Sequence, residues 1–357
     1  MNEPLRVAVV GCGVIARTYA EGAEAFDSFE LVACADSARD RAAAFAEAHD
    51  LRPAELDELL VDPDVDAILN LTPADAHAKI AHAALDAGKH VYSEKPLATT
   101  VEDAQRLVDE AAAQGLRLGC APDTFLGSAY ETGRSLLESG AIGAPLGATA
   151  TFLVGGAETW HPDADAFFRP GAGPMLDIGP YYLTALVSLL GPFAEATGFV
   201  SMPTEERTLV VGPRAGESFR VEVPTHVVAL LRMESAASVS FTVGFESRGQ
   251  YESSLVVHGA DGSLELPDAN AFGGNVRIRR AGGDWEPVSY ATLGAQETRG
   301  LGLHDMALAI REGREHRASG ALALHVLEAA AAVLTGAQEG KTVAVSPLSA
   351  ELAPAPR

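Results

Sequence analysis

Short apolar runs and helically spaced apolar residues alternate through the first 125 residues, and this alternation limits the possible folds more than any other feature. "LRVAVVG" (5–11), "ELVACAD" (30–36), "VDAILNLTP" (65–73), "KHVYSEKP" (89–96) and "LRLGCAP" (116–122) read as strands. Their near-continuous apolar character is that of parallel strands buried on both faces. Between them the spacing becomes helical: Ile15, Ala16, Tyr19, Ala20, Ala23 and Phe26, then "ARDRAAAFAEAH" (38–49), "HAKIAHAALDAG" (77–88) and "VEDAQRLVDEAAAQG" (101–115). Strands and helices in strict turn predict an α/β fold with a doubly wound parallel sheet. Such sheets bind ligands beyond the carboxyl ends of their strands. Residues 11–16, 36–37, 70–77, 94–96 and 121–125 all fall at those ends.

The string "GCGVIA" (11–16) has the G-x-G-x-x-A form, follows a strand and opens a helix. Asp36 ends the second strand, twenty residues after Ala16. In this context the string is a dinucleotide-binding fingerprint. Gly11 permits the tight turn, Gly13 lets backbone approach a pyrophosphate, and Val14 and Ile15 start the helix whose amides receive it. Asp36 would accept hydrogen bonds from the adenosine ribose and repel a 2′-phosphate, which favours NAD over NADP. Ser37, Arg39 and Arg41 follow closely and leave NADP possible.

Lysine occurs only at Lys79, Lys89, Lys95 and Lys341. A chain that otherwise uses arginine keeps a lysine in "YSEKPLA" (92–98), at a strand end on the predicted ligand edge. Unlike guanidinium, an ammonium can give up a proton when its surroundings lower its pKa, so Lys95 is a candidate for proton chemistry.

A net charge of −23 and a pI near 4.7 disfavour phosphate backbones and anionic membrane surfaces as partners. Cys12, Cys34 and Cys120 show no metal-ligand or disulfide-framework spacing. No metal is predicted. The N-terminal segment lacks a signal-peptide layout, and no stretch reads as a membrane span, so a cytoplasmic protein is expected.

Three stretches together resemble the glucose–fructose oxidoreductase / inositol dehydrogenase / MocA (Gfo/Idh/MocA) family: "GCGVIA", "LTPADAHAKIAHAALDAGKHVYSEKPLA" and "GAGPMLDIGPYYLTALVSLLG". The resemblance continues in "REGREHRASGALALHVLEAA" near the end of the chain. It implies a Rossmann domain (1–124) followed by a substrate-binding and oligomerisation α+β domain (125–357) with a large, open, mostly antiparallel sheet. It also implies an NAD(P)-dependent dehydrogenase of sugars or polyols. By motif, Lys95 would stand at the nicotinamide end and touch the reacting hydroxyl, with Glu94 and Pro96 shaping its turn. Thr72 and Pro73 would line the cofactor with His77 nearby, and Asp177 would hold the substrate. Tyr181 stands where the family usually has a histidine as acid/base. Asp123, in "APDTFLG" (121–127), departs from the usual Asn-Arg-type sequence at a position that touches the substrate pocket.

After about Phe125 the pattern changes. "TGRSLLESGAIG" reads as a helix, "LGATATFLVGG" as a strand, and 174–190 as a helix with Met175, Ile178, Leu183, Leu186 and Leu190 on its buried side. "THVVALLRM", "ASVSFTVGF", "SSLVVHG", "GSLELP" and "NVRIRR" then predict an antiparallel meander, and helices near 303–313 and 321–338 close the domain. The sheet's uncovered face, by the resemblance, implies a homodimer or homotetramer.

Asp177 and Tyr181, four apart on the predicted helix, would share one face. A phenol titrates near ~10, so it needs a neighbouring cation to act as a base, and Lys95 is the candidate supplier. His161, in "TWHPDAD", is a rival acid/base, and Arg169 could reach a substrate oxygen. The leading expectation is hydride transfer between a sugar, polyol or inositol-like alcohol and NAD. Two alternatives stay open: an NAD-dependent glycoside-cleaving enzyme using transient oxidation, and a non-catalytic NAD/sugar-sensing protein.

Overall fold

The five apolar runs become strands where the sequence places them. The computed structural model describes residues 3–249 and 251–348. Its first sheet contains β1 (Leu5–Val10), β2 (Phe29–Ala35), β3 (Arg52–Pro53), β4 (Ala67–Asn70), β5 (His90–Ser93) and β6 (Leu118–Cys120). They lie in the order β3-β2-β1-β4-β5-β6, every pair parallel. This is the Rossmann order, and it reverses between β1 and β4. Val7, Ala8, Val9, Ile68 and Leu69 in those two central strands are buried. Each large apolar side chain buried there contributes about 1.5–3 kcal/mol. The connecting helices are α1 (Val14–Ala23), α2 (Arg39–His49), α3 (Leu56–Val61), α4 (Ala74–Asp86) and α5 (Val101–Gln114). α5 shows how local sequence sets the ends: the Thr100 hydroxyl accepts from Asp103 N at the start, and Gly115 stops it in the left-handed region at φ 67°. β3, two residues long, and α3, six residues long, are too short to show a period in the sequence.

The chain forms two compact units, residues 3–126 with 293–324, and residues 127–292 with 325–348. The sequence division at 124/125 contains no hint that 293–324 returns to the first unit. That return rests on tertiary contacts such as the bridge from Gly119 to Ser319.

The second unit opens with α6 (Ser128–Glu138), β7 (Pro145–Leu153), α7 (Pro174–Asp177) and α8 (Gly179–Leu190). β8 (Phe193–Ser201), β9 (Glu206–Thr208), β10 (Ser218–Arg220), β11 (His226–Met233), β12 (Ser238–Gly244), β13 (Glu252–Gly259), β14 (Gly262–Leu266), β15 (Arg277–Arg280) and β16 (Glu286–Pro287) follow. Then come α9 (Leu301–Glu312), which belongs to the first unit, α10 (Gly320–Glu339) and β17 (Val343–Ala344). The large sheet runs β16-β15-β14-β13-β7-β12-β11-β8-β17. It is mostly antiparallel, but not the simple meander the sequence predicts: β7 inserts between β12 and β13 and runs parallel to β12. β13 and β14, consecutive in the predicted meander, do pair antiparallel.

Two further expectations change. The helix predicted over 174–190 is two helices meeting at Ile178, because Pro180 has no N–H to continue the ladder and Tyr181 N bonds back to Ile178 O instead. Every residue of α8 is buried, not one side of it. And one helix, α10, is long and apolar enough to cross a membrane, contrary to the sequence reading; 61% of its apolar window is buried within the protein.

Candidate functional site

The β1–α1 turn has two glycines with opposite surroundings. Gly11 has φ 96°, and a Cβ there would stand 2.7 Å from the Leu71 carbonyl carbon and oxygen. No side chain fits, so the turn lies against the segment leaving β4. At Gly13 a Cβ would meet nothing within 4 Å, so the space over the loop is open. Gly13 is the N-cap of α1 and supplies no side-chain acceptor, and the first turn carries no acid. Those first-turn amides therefore suit an anionic ligand. Val14 is exposed and Ile15 half-buried at the same helix start.

Asp36 stands at the end of β2. One carboxylate oxygen accepts from Cys12 N at 2.8 Å and the other from Ala38 N at 2.8 Å. Arg41 Nε lies 3.5 Å away, and the Ser37 hydroxyl donates at 3.5 Å. Arg39 pairs with Glu55 at 2.8 Å. A carboxylate oxygen has more than one acceptor position, so both oxygens can still receive a hydroxyl. Open space over Gly13, uncapped amides and a fixed carboxylate are the donor and acceptor set that a dinucleotide pyrophosphate and ribose require, and the residues fit NAD.

At the end of β4, Asn70 is fully buried and organises the loop that follows. Its Nδ2 donates to His77 O at 3.0 Å, and its Oδ1 accepts from the Thr72 hydroxyl at 2.7 Å. Pro73 is exposed beside them. The buried His77 ring faces Pro96 O at 2.6 Å and Thr72 O at 2.8 Å, so it ties this loop to the Glu94–Lys95–Pro96 turn beyond β5. Glu94 is buried; its Oε1 accepts from the Tyr19 hydroxyl at 2.9 Å and its Oε2 from Lys95 N at 3.1 Å. Lys95 itself is half-buried. Asn70 and Tyr19 were not singled out by sequence reasoning. An asparagine ending the all-buried strand "AILN" was the available signal for the first; Tyr19 reads simply as a core residue.

Asp123 is not available in the way the sequence suggests. Its side chain has no exposure, Oδ1 is 3.2 Å from Arg299, and Oδ2 accepts from Gly300 N and Gly302 N at 3.1 Å. Burial raises its pKa, opposed mainly by Arg299. The carboxylate anchors the returning segment, and nothing of it is presented to a substrate.

The remaining candidates lie in the second unit. Asp177 closes α7 and is half-buried, while Tyr181 is buried in the first turn of α8. The interruption at Ile178 falls between them. His161 is half-buried between Trp160 and Phe167, and its Nδ1 accepts from Asp163 N at 3.1 Å. Arg169 is exposed and pairs with Asp165. Among the described residues no group of three or more His, Cys, Asp or Glu is placed to hold a metal ion.

Residues 5–121 match the model of the Gfo/Idh/MocA oxidoreductase family, NAD-binding Rossmann fold, and residues 130–265 match that family's C-terminal domain. The chain belongs to this family. Among its curated relatives is the 1,5-anhydro-D-fructose reductase of Ensifer adhaerens, 30% identical over 72% of this chain and 74% of that protein. Another is the dTDP-3,4-didehydro-2,6-dideoxy-alpha-D-glucose 3-reductase of Actinomadura kijaniata, 34% identical over 69% of this chain and 72% of that one. In fold the chain is similar to apo levoglucosan dehydrogenase, with a TM-score of 0.86 and 23% identity over 98% of this chain and 100% of that one. As a Gfo/Idh/MocA member, the chain is an NAD-binding oxidoreductase.

Proposed function

We propose that this oxidoreductase transfers a hydride between a secondary alcohol of a sugar, polyol or inositol-like compound and NAD. The observation that carries the reading is the Asp36 carboxylate, fixed by Cys12 N and Ala38 N beside the open Gly13 turn. Relatives named as anhydrofructose reductase, levoglucosan dehydrogenase and inositol 2-dehydrogenase support the substrate class. Bound NAD supplies a hydride acceptor at its nicotinamide ring. The first-turn amides of α1 would hold the pyrophosphate and Asp36 the ribose, and Thr72 and Pro73 would line the cofactor. Lys95 would hydrogen-bond the reacting hydroxyl, and Asp177 would hold the substrate. Tyr181 would take up the hydroxyl proton as the alcohol is oxidised, and Lys95 would be the cation that favours its ionised form. In reduction the same phenol returns the proton to the alkoxide. His161 is the rival acid/base and Arg169 a substrate-oxygen contact.

A panel of sugars, polyols and inositols with NAD⁺ and NADP⁺, read by absorbance of the reduced cofactor, tests the reading. Turnover with NAD⁺ on at least one sugar-class alcohol is expected. Tight NAD binding without turnover across the panel would contradict it.

The assembly belongs to the same proposal. Phe199, Val228 and Leu230 share one side of the large sheet by register, and Phe199 is 77% and Leu230 49% exposed. We assign this face to association of copies of the chain as a homodimer or homotetramer. A Phe199→Glu, Leu230→Glu protein should sediment as a smaller species than the wild type, and an unchanged mass would remove this face from the account. Three buried free thiols suit a reducing compartment, the cytoplasm.

A further inference from the structure

We propose that Tyr19 is a positioning residue for Lys95, acting through Glu94. The inference rests on the role given to Lys95 above. Glu94 is 8% exposed and its two oxygens are divided between two partners. The Tyr19 hydroxyl, from the middle of α1, donates to Oε1 at 2.9 Å. The backbone N–H of Lys95 donates to Oε2 at 3.1 Å. The main chain of Glu94 is also held, because its N–H donates to Asn70 O at 2.9 Å and its carbonyl accepts from the Cys120 thiol at 3.7 Å. The carboxylate thus links the turn carrying Lys95 to the helix that begins at the glycine loop.

Tyr19 is 1% exposed, and burial, then the Glu94 charge, hold its phenol far above the ordinary value. It therefore stays a protonated donor throughout the working pH range. A buried carboxylate that loses a donor is left under-solvated and turns toward whatever donor remains. Without the Tyr19 hydroxyl, the Glu94 carboxylate keeps the bond from Lys95 N, and the orientation of the turn loosens. Small displacements of a group that must meet a reacting atom cost rate, while binding made elsewhere is spared. The glycine loop and Asp36 make no contact through the Tyr19 hydroxyl.

Tyr19→Phe keeps the buried ring and removes only the donor. Measured on the full chain, with a sugar that the wild type turns over, the variant should lose about tenfold in kcat, the size of one hydrogen bond to a charged group. Its NAD dissociation constant should not move. The primary deuterium isotope effect from substrate labelled at the reacting carbon should rise, since hydride transfer becomes more rate-limiting. A role in folding alone would shift the urea midpoint without changing that isotope effect. Glu94→Gln, whose amide oxygen can serve only one of the two donors, should lose at least as much. Unchanged kcat and isotope effect in Tyr19→Phe would overturn the inference, as would a kcat loss matched by equal weakening of NAD. The two readings fail separately: full activity in Lys95→Ala removes the role of Lys95, whereas an inactive Lys95→Ala beside a normal Tyr19→Phe removes only the role of Tyr19.

Discussion

In the proposed site, Asp36 is the single side chain with the most say over the cofactor. Its oxygens are held by Cys12 N and Ala38 N, and Arg41 stands 3.5 Å away. Asp36→Ser removes the charge proposed above to bind the ribose and repel a 2′-phosphate, and it takes away the carboxylate 3.5 Å from Arg41. NAD should weaken by roughly 10- to 100-fold, the range for hydrogen bonds to a charged group. The NADP/NAD ratio of kcat/KM should rise, and adding Arg41→Ala should cancel the NADP gain. A selectivity ratio that does not change would take Asp36 out of the ribose site. At this scale the sequence was legible where a residue's place is set by main-chain position. Gly11, Gly13 and Asp36 sit at strand ends that can be counted along the chain. Asp123 was misread because its partners, Arg299, Gly300 and Gly302, are more than 170 residues away. Tyr19 was invisible for the same reason: a phenol at helical spacing looks like core until its acceptor, Glu94, is seen.

Among the elements, the β1–α1 turn makes a paired prediction. Gly11→Ala puts a Cβ 2.7 Å from the Leu71 carbonyl at φ 96°, and should destabilise folding by ~2 kcal/mol or more in urea titration. Gly13→Ala puts a methyl into open space, so folding should change by less than ~1 kcal/mol while NAD affinity falls. If Gly13→Ala binds NAD normally, the open space is not the pyrophosphate site. The parallel strands were readable because burial on both faces writes a continuous apolar run. Two- and three-residue strands such as β9, β10 and β17 have no period to read. The position of β7 between β12 and β13 was not readable either, since strand order follows from which edges pair and not from the order along the chain.

On the scale of the molecule, the return of 293–324 to the first unit is the feature furthest from the sequence. His316 reports on it. The ring is buried, its Nε2 is 3.1 Å from Leu118 O in β6, and burial pushes its pKa down to about 4 from 6.5. Folded, it stays neutral to about pH 4, whereas the unfolded chain takes up the proton below about 6.5. Stability should therefore fall as pH drops through that window, by at most about 3 kcal/mol, and level off below it. Urea midpoints followed from pH 7 to 4 should show this slope in the wild type and a flatter one in His316→Gln; equal slopes would mean the ring is not buried as described.

The account as a whole stands on hydride transfer assisted by the amine beyond β5, and turnover of Lys95→Ala on a sugar the wild type oxidises, taken with its NAD affinity, tests it most directly. The prediction is loss of nearly all turnover with NAD bound as tightly as before. Turnover at the wild-type rate would contradict it.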